Sequence, residues 1–258
     1  LNIFIYSYLK LFKKIEYLQI FLFTISSALL MLLRGEFFIF VILSIIYLYL
    51  KQKNLTKILL ISLMTLLIIS PYLYRNYNIF GVITITKSGG YNLLKGNHPR
   101  TKPEGTPMFL SIEKVIPEVK SKLDELIAKG PSSNYDLAQD KILLNQAIKF
   151  IKSNPLHYVM LYIKKVLSFM FIDINASYAN YYSPLHIIPK LFLGVTTLIG
   201  IILSFNLRVN AQNFVTLYYL ANIGLVSIFF ILPRYSLSLL MIQIILSLLV
   251  LKKLKPKL

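Results

Sequence analysis

Three arginines of this chain lie beside long apolar stretches, where a charged side chain is costly. Arg34 begins the tight turn Arg34-Gly35-Glu36 between two apolar runs, Arg75 ends a third run, and Arg234 lies between the last two. A guanidinium donates two parallel hydrogen bonds, a geometry that suits phosphate. The arginines therefore predict recognition of a phosphate at the depth of lipid headgroups. Two alternatives stay open, an Arg34–Glu36 ion pair that caps two helices and ordinary snorkelling of Arg75.

Other chemical groups give weaker signals. The chain has three histidines and no cysteine, which excludes a disulfide scaffold and a cysteine nucleophile and makes a zinc site unexpected. No cofactor is evident, and a divalent metal is left open. The glycine-rich residues 88–99 carry backbone amides of the kind that cradle an anion, but they match neither a P-loop nor a dinucleotide fingerprint. His98, within this stretch, is expected to be solvated.

The composition predicts that membrane helices position these groups. Hydrophobic residues make up 56% of the chain, charged residues only 15%, and the mean hydropathy is +0.66. A soluble domain carries about 25% charged residues. The chain is therefore predicted to be an all-α polytopic membrane protein. Six stretches without charge are the expected spans: 17–33, 37–50, 58–74, 191–207, 209–233 and 235–251.

Lysine and arginine predict the orientation of these spans. The basic residues of short loops collect on one side, which the positive-inside rule makes cytoplasmic. Much of the net charge of +18 is then an orientation signal near anionic lipid, and no nucleic-acid partner is expected. The opposite, outer side carries Arg34 and Arg234. The cytoplasmic set is Lys10, Lys13, Lys14, Lys51, Lys53, Lys57, Arg208, Lys252, Lys253, Lys255 and Lys257.

The same pattern divides the chain into three predicted parts. Residues 1–74 hold a helix at the start of the chain and three spans, residues 75–185 form a large extracytoplasmic domain, and residues 186–258 hold three spans and a basic tail. Within the middle part, residues 136–153 are predicted to form an amphipathic helix. Residues 157–172 are predicted to form a helix at the outer interface, with Lys164 and Lys165 both toward water or headgroups.

The order of these motifs resembles one family. Leu-Leu-Arg34-Gly-Glu36 resembles the Leu-Thr-Arg-Pro-Glu turn of bacterial GT-C glycosyltransferases of the family 39 type, relatives of dolichyl-phosphate-mannose mannosyltransferases and lipid A aminoarabinose transferases. Residues 70–81 are similar to the family's Pro-Trp-x-x-Arg-Asn-Tyr-x-x-Phe-Gly stretch. Residues 90–99 are similar to its Gly-x-Asn-Leu and Gly-Asn-x-Pro blocks. Residues 147–155 and the pair Arg234-Tyr235 resemble further landmarks, and the resemblance covers about residues 1–250.

The resemblance implies a fold and an activity. The fold would be a GT-C helix bundle in the bacterial inner membrane, with its large loop outside. The activity would be transfer of a sugar from a polyprenyl-phosphate carrier to a lipid, glycan or protein acceptor, with membrane lipids as further partners. Arg75 and Arg234 would bind the donor phosphate with support from Arg34. The other supporting residues would be Glu36, Asn76, Asn97 and Tyr235.

The resemblance also places the family's catalytic acid in an outer loop upstream of the part that matches Arg34. It therefore implies that this chain is the C-terminal part of the enzyme, possessing no assigned catalytic residue, and that a separately encoded N-terminal part is a candidate partner. Glu36 is not assigned that role. Three other functions stay open: an O-antigen polymerase or ligase, a non-catalytic transporter or scaffold, and an inactive remnant.

Overall fold

The computed structural model of this chain describes residues 1–99, 101–104, 116–128, 130, 134–176, 180–204, 209–229 and 231–254. For residues 204, 233, 234 and 251–254 it describes the backbone alone. The described residues are helical, with one isolated parallel bridge between Glu104 and Ile231 and no strand. The expected all-α fold class is confirmed for the secondary structure of the described residues.

The chain forms two compact units. Unit 1 comprises Leu1–Thr86 and Ser204–Tyr218, and unit 2 comprises Lys87–Leu203 and Tyr219–Leu258. These boundaries follow the packing of the helices, whereas the three predicted parts follow hydropathy. The division into three parts stays a prediction.

Unit 1 is built on four helices that follow one another closely in sequence. Its core is aromatic, with the rings of Tyr8 and Phe214 stacked at 3.8 Å and those of Phe4 and Phe23 at 4.9 Å. Such ring pairs add to the stabilisation from apolar burial. The helices are α1 (Asn2–Lys13), α2 (Tyr17–Leu33), α3 (Phe37–Gln52) and α4 (Leu55–Phe80).

Unit 2 contains the amphipathic helix and the interfacial helix predicted between the apolar runs, together with two helices that were not predicted, Gly89–Asn97 and Pro117–Ala128. A small core of Leu94, Val119, Leu123, Leu143 and Ala147 joins three of these helices. Asn154 and Pro155 separate two of them, since proline is favoured in the first turn of a helix and Pro155 begins the second of the two. The helices are α5 (Gly89–Asn97), α6 (Pro117–Ala128), α7 (Tyr135–Ser153), α8 (Pro155–Met170), α9 (Pro184–Ser204), α10 (Ala211–Ile228), shared with unit 1, a 3-10 helix (Pro233–Leu239) and α11 (Leu240–Leu254).

Pro71 does not break α4. A proline in a helix interior predicts a break or a kink, here with the helix leaving the membrane near Arg75. The break does not occur, because α4 runs through Pro71 to Phe80, and the kink stays a prediction. It ends at Gly81, whose positive φ of 70° closes the last turn at no steric cost. Arg75 and Asn76 therefore stand on a continuous helix.

Two of the described helices are long and apolar enough to cross a membrane. They are Leu55–Phe80, with a mean hydropathy of 1.8, and Pro184–Leu203, with 1.9. Shorter apolar helices cover Tyr17–Leu33, Phe37–Gln52 and Tyr235–Val250. Length and composition thus indicate membrane association, while the six-span arrangement stays a prediction.

Candidate functional site

The turn between α2 and α3 holds the first predicted arginine. A guanidinium nitrogen of Arg34 forms an ion pair with a carboxylate oxygen of Glu36, and each side chain is about one-third exposed, at 33% and 31%. Gly35 separates them, and a Cβ at this position would lie 3.1 Å from Cγ2 of Thr86. The turn therefore contacts the end of the segment 82–86, which follows α4.

Asn76 fastens that same segment to α4. Its side chain is 3% exposed, and its Nδ2 donates to the carbonyl of Thr84 at 2.7 Å. Its Oδ1 accepts from Nη1 of exposed Arg75 at 3.3 Å, so one amide positions both the segment and the guanidinium. The Tyr72 hydroxyl donates to the carbonyl of Ile85 at 3.4 Å.

The segment 82–86 thus supports two of the predicted arginine positions. It contacts the Arg34 turn through Gly35 and Thr86, and it contacts α4 one residue from Arg75 through Asn76. With two guanidinium groups and one carboxylate, this part of unit 1 has a net positive charge. The guanidinium of Arg34 is paired with Glu36 and that of Arg75 with the amide of Asn76, and both groups are of the type that suits a phosphate.

The remaining predicted site residues belong to unit 2. Arg234 lies in the 3-10 helix, and its side chain lies outside the described residues. The backbone N–H of Tyr235 donates to the carbonyl of Leu232 at 2.9 Å. Asn97 is fully buried, so its side chain contacts groups inside unit 2 and does not line an open phosphate site.

Backbone amides of the glycine-rich stretch bind an anion, and this anion is a side-chain carboxylate of the same chain. The carboxylate of Asp140 on α7 accepts from the N–H of Gly90 at 2.9 Å and from the N–H of Tyr91 at 2.8 Å. These are orphan amides of the first turn of α5, where a negative charge is favoured. The expected solvation of His98 is wrong, because this residue is only 6% exposed.

Lys165 is buried among polar groups of unit 2. Its Nζ donates to Oδ1 of Asn97 at 3.0 Å and to the carbonyl of Phe229 at 2.9 Å. Asn97 in turn donates to the carbonyls of Leu93 and Ile228, both at 2.8 Å. We call this group the Lys165 network. Burial lowers the pKa of Lys165 from 10.5 to about 7, since a low-dielectric interior disfavours the ammonium.

The prediction that both lysines of α8 face water or headgroups is wrong for Lys165. Lys164 is exposed as predicted, but Lys165 is 0% exposed. Successive helical residues are rotated by about 100°, so neighbours in sequence point in different directions. Lys165 shares its face with Leu161 and Phe169, four residues before and after it, and both of these are buried.

The lowered pKa of Lys165 predicts how stability depends on pH. Between about pH 7 and 10.5 the unfolded chain binds more protons at Lys165 than the folded chain. This group therefore makes the folded state more stable as the pH rises through that window and less stable below it. Thermal unfolding followed by circular dichroism at several pH values measures the slope. Lys165→Met is expected to remove this rise, and a slope unchanged by the substitution would contradict the assignment.

A second buried polar group surrounds Glu104, and we call it the Glu104 cluster. Oε1 of Glu104 accepts from Oγ of Ser168 at 2.7 Å and from Nζ of Lys190 at 3.1 Å. The backbone N–H of Glu104 donates to Oδ2 of Asp173 at 3.0 Å, and the N–H of Asp173 donates to the Tyr181 hydroxyl at 2.8 Å. Glu104 is 1% exposed and Asp173 is 2% exposed.

The Glu104 cluster contributes to a raised pKa of Tyr181. Burial is the main cause that raises the pKa of the Tyr181 hydroxyl, and the negative charges of Glu104 and Asp173 raise it further. The ammonium of Lys190 lies 5.7 Å from the centre of the Tyr181 ring, a cation–π contact. Most polar groups of the cluster are paired with one another, which indicates a structural role. Oε2 of Glu104 is the exception, since it is buried with no hydrogen-bond partner among the described residues.

No sequence pattern singles out Glu104, Ser168 or Lys190. Glu104 follows Pro103 in a loop, and its partners lie far along the chain, so only folding brings them together. Lys165 did carry a signal, since its spacing from Leu161 and Phe169 places it on an apolar face.

No group of three or more acidic or histidine side chains suited to a metal occurs among the described residues.

Comparison with protein-family models, with curated proteins and with solved structures gives no match to this chain. The resemblance drawn from residues 34–36, 70–81 and 90–99 therefore stays a prediction. Function is inferred from the arrangement of the residues themselves.

Proposed function

We propose that this chain binds the phosphate of a polyprenyl-phosphate sugar and takes part in sugar transfer, as a membrane glycosyltransferase of the GT-C type. The acceptor is a lipid, a glycan or a protein on the outer side of the bacterial inner membrane. The observation that carries the proposal is that the segment 82–86 contacts the Arg34 turn at Gly35 and contacts α4 at Asn76, whose side chain accepts a hydrogen bond from Arg75. Arg234 is proposed as the third cation for the donor phosphate.

The surface of the helices supports a membrane location. In the apolar windows of Leu55–Phe80 and Pro184–Leu203 only 22% of the residues are buried. A core helix of a soluble protein buries most of its apolar residues, because exposing them to water is unfavourable. A helix that is apolar and yet exposed is suited to lipid. The distribution of lysine and arginine supports six spans, with the arginine turn outside and the basic tail inside.

Binding of the donor tests the proposed site. We expect Arg75→Ala and Arg234→Ala each to weaken binding of a polyprenyl-phosphate hexose by about tenfold or more, because each removes a charge-assisted hydrogen bond to phosphate. Isothermal titration with the full chain in a neutral detergent measures the affinity.

The matched control is Arg208→Ala, which removes the same charge from the side predicted to be cytoplasmic. It is expected to leave donor affinity unchanged. Equal affinities of the wild type, Arg75→Ala and Arg234→Ala would contradict the assignment of the donor phosphate to these arginines.

A further inference from the structure

A cavity of about 570 Å³ lies against α8 in unit 2, away from the arginine turn in sequence. One wall is a single face of that helix, because His157, Leu161 and Lys164 follow at the spacing of successive helical turns. The rest of the lining consists of the loop residues 101–103 and 174–176 with Tyr182. The cavity therefore combines one helix with two loops.

Hydrogen bonds fix both loops. Oγ1 of Thr101 donates to the carbonyl of Lys95 at 2.8 Å. The hydroxyl of Tyr182 accepts from the N–H of Ala176 at 2.8 Å and donates to the carbonyl of Asp173 at 3.1 Å. The Glu104 cluster ties these loops together, because the N–H of Glu104 donates to the Asp173 carboxylate.

The Lys165 network fixes the helical wall. With Lys165 hydrogen-bonded inside unit 2, the rotation of α8 is set and the neighbouring Lys164 lines the cavity. The backbone that carries the lining is therefore positioned before any ligand arrives, which lowers the entropic cost of binding.

The lining is basic on one part and apolar on another. Lys102, Lys164 and His157 supply N–H donors, and none of the described residues that line the cavity is acidic. Lysine is a common phosphate ligand, acting as a compact positive charge. Met160 and Ile174 add apolar surface beside these donors. A phosphate attached to a hydrocarbon chain matches both parts.

We propose that this cavity binds a phosphate group that carries an apolar chain. Lys102 and Lys164 bind the phosphate oxygens, His157 donates a further hydrogen bond, and Met160 and Ile174 contact the chain. The site does not depend on the proposed sugar transfer, since it shares no residue with the arginine positions of unit 1. The phosphate comes either from a membrane-lipid headgroup, which is a diester, or from a monoester.

The test compares four small probes on the full chain in a neutral sugar detergent, by isothermal titration. They are n-hexyl phosphate, inorganic phosphate, n-hexyl glucoside and dihexanoyl phosphatidylglycerol. We expect n-hexyl phosphate or the phosphatidylglycerol to bind saturably and at least about tenfold more tightly than inorganic phosphate or the glucoside. Preference for n-hexyl phosphate identifies a monoester as the source, and preference for the phosphatidylglycerol identifies a lipid headgroup.

Lys164→Gln and Lys141→Gln are matched variants, because each removes one exposed lysine charge from a helix of unit 2. Lys164→Gln is expected to weaken binding of the preferred probe by about five- to tenfold. Lys141→Gln, outside the cavity, is expected to leave it unchanged. The proposal is overturned if inorganic phosphate or the glucoside binds as tightly as the two amphiphilic phosphates, if no probe binds, or if both variants lose affinity equally.

Discussion

Replacing Glu104 by alanine is expected to destabilise the chain by about 3–5 kcal/mol, the usual cost of removing one partner from a buried ion pair. The ammonium of Lys190 and the hydroxyl of Ser168 would lose their acceptor in a place where water does not replace it. The side chains of the pair are only 2% exposed for Glu104 and 15% exposed for Lys190. Thermal unfolding of the detergent-solubilised chain, followed by circular dichroism, measures the loss.

Glu118→Ala is the matched control for this prediction. Glu118 also forms an ion pair with a lysine, Lys149, at 3.0 Å, but the two side chains are 59% and 64% exposed. Water and salt screen such a pair, so little change in stability is expected. Glu104→Gln is expected to fall between the two, because its amide oxygen still accepts from Ser168. Similar unfolding temperatures for Glu104→Ala and Glu118→Ala would show that the Glu104 cluster contributes little.

Gly90→Ala is expected to cost about 3 kcal/mol, at the upper end of the usual range for overpacking. A Cβ on Gly90 would meet the backbone carbonyl of Asp140 and would lie 2.7 Å from the backbone nitrogen of Leu144. Both contacts are with the backbone of α7, so no side-chain rotation relieves them. The N–H groups of Gly90 and Tyr91 would also be displaced from the Asp140 carboxylate. The change in unfolding temperature measures the effect.

Gly89→Ala provides the comparison one residue earlier. The nearest atom to a Cβ there is Oδ2 of Asp140 at 3.9 Å, an ordinary contact. Alanine also favours a helix more than glycine does, so this variant is expected to keep or slightly raise stability. Equal losses from Gly89→Ala and Gly90→Ala would mean that the close approach of α5 and α7 is not what makes residue 90 sensitive.

The sequence pattern predicts two helices closely, whereas the charge-free run 209–233 gives a helix only over Ala211–Ile228. The charge-free run 17–33 matches α2 in full, and the amphipathic pattern of 136–153 differs from α7 by one residue at its start. Local composition suffices here because each pattern lies within one element. Pro71 is different, since a proline that breaks most helices is tolerated in α4.

The polar interior could be predicted only in part. Lys165 could be placed on the buried face of α8 from its spacing to Leu161 and Phe169, but its partner Asn97 lies on another helix. Glu104 joins residues from α8 and α9, and no local pattern encodes those contacts. For the candidate phosphate site, residue type and proximity to apolar runs select Arg34 and Arg75. The contacts of their neighbours with the segment 82–86 become visible only with the fold.

Binding selectivity for lipid-linked sugars is the most direct test of the proposed transferase function. The full chain in neutral detergent is titrated with a polyprenyl-phosphate monosaccharide, with the same polyprenyl phosphate without sugar, and with a polyprenyl-pyrophosphate oligosaccharide. We expect saturable binding that is tightest for the monosaccharide and weakened by Arg75→Ala. Tighter binding of the oligosaccharide would favour an O-antigen polymerase or ligase, and absence of saturable binding to all three would contradict the proposal.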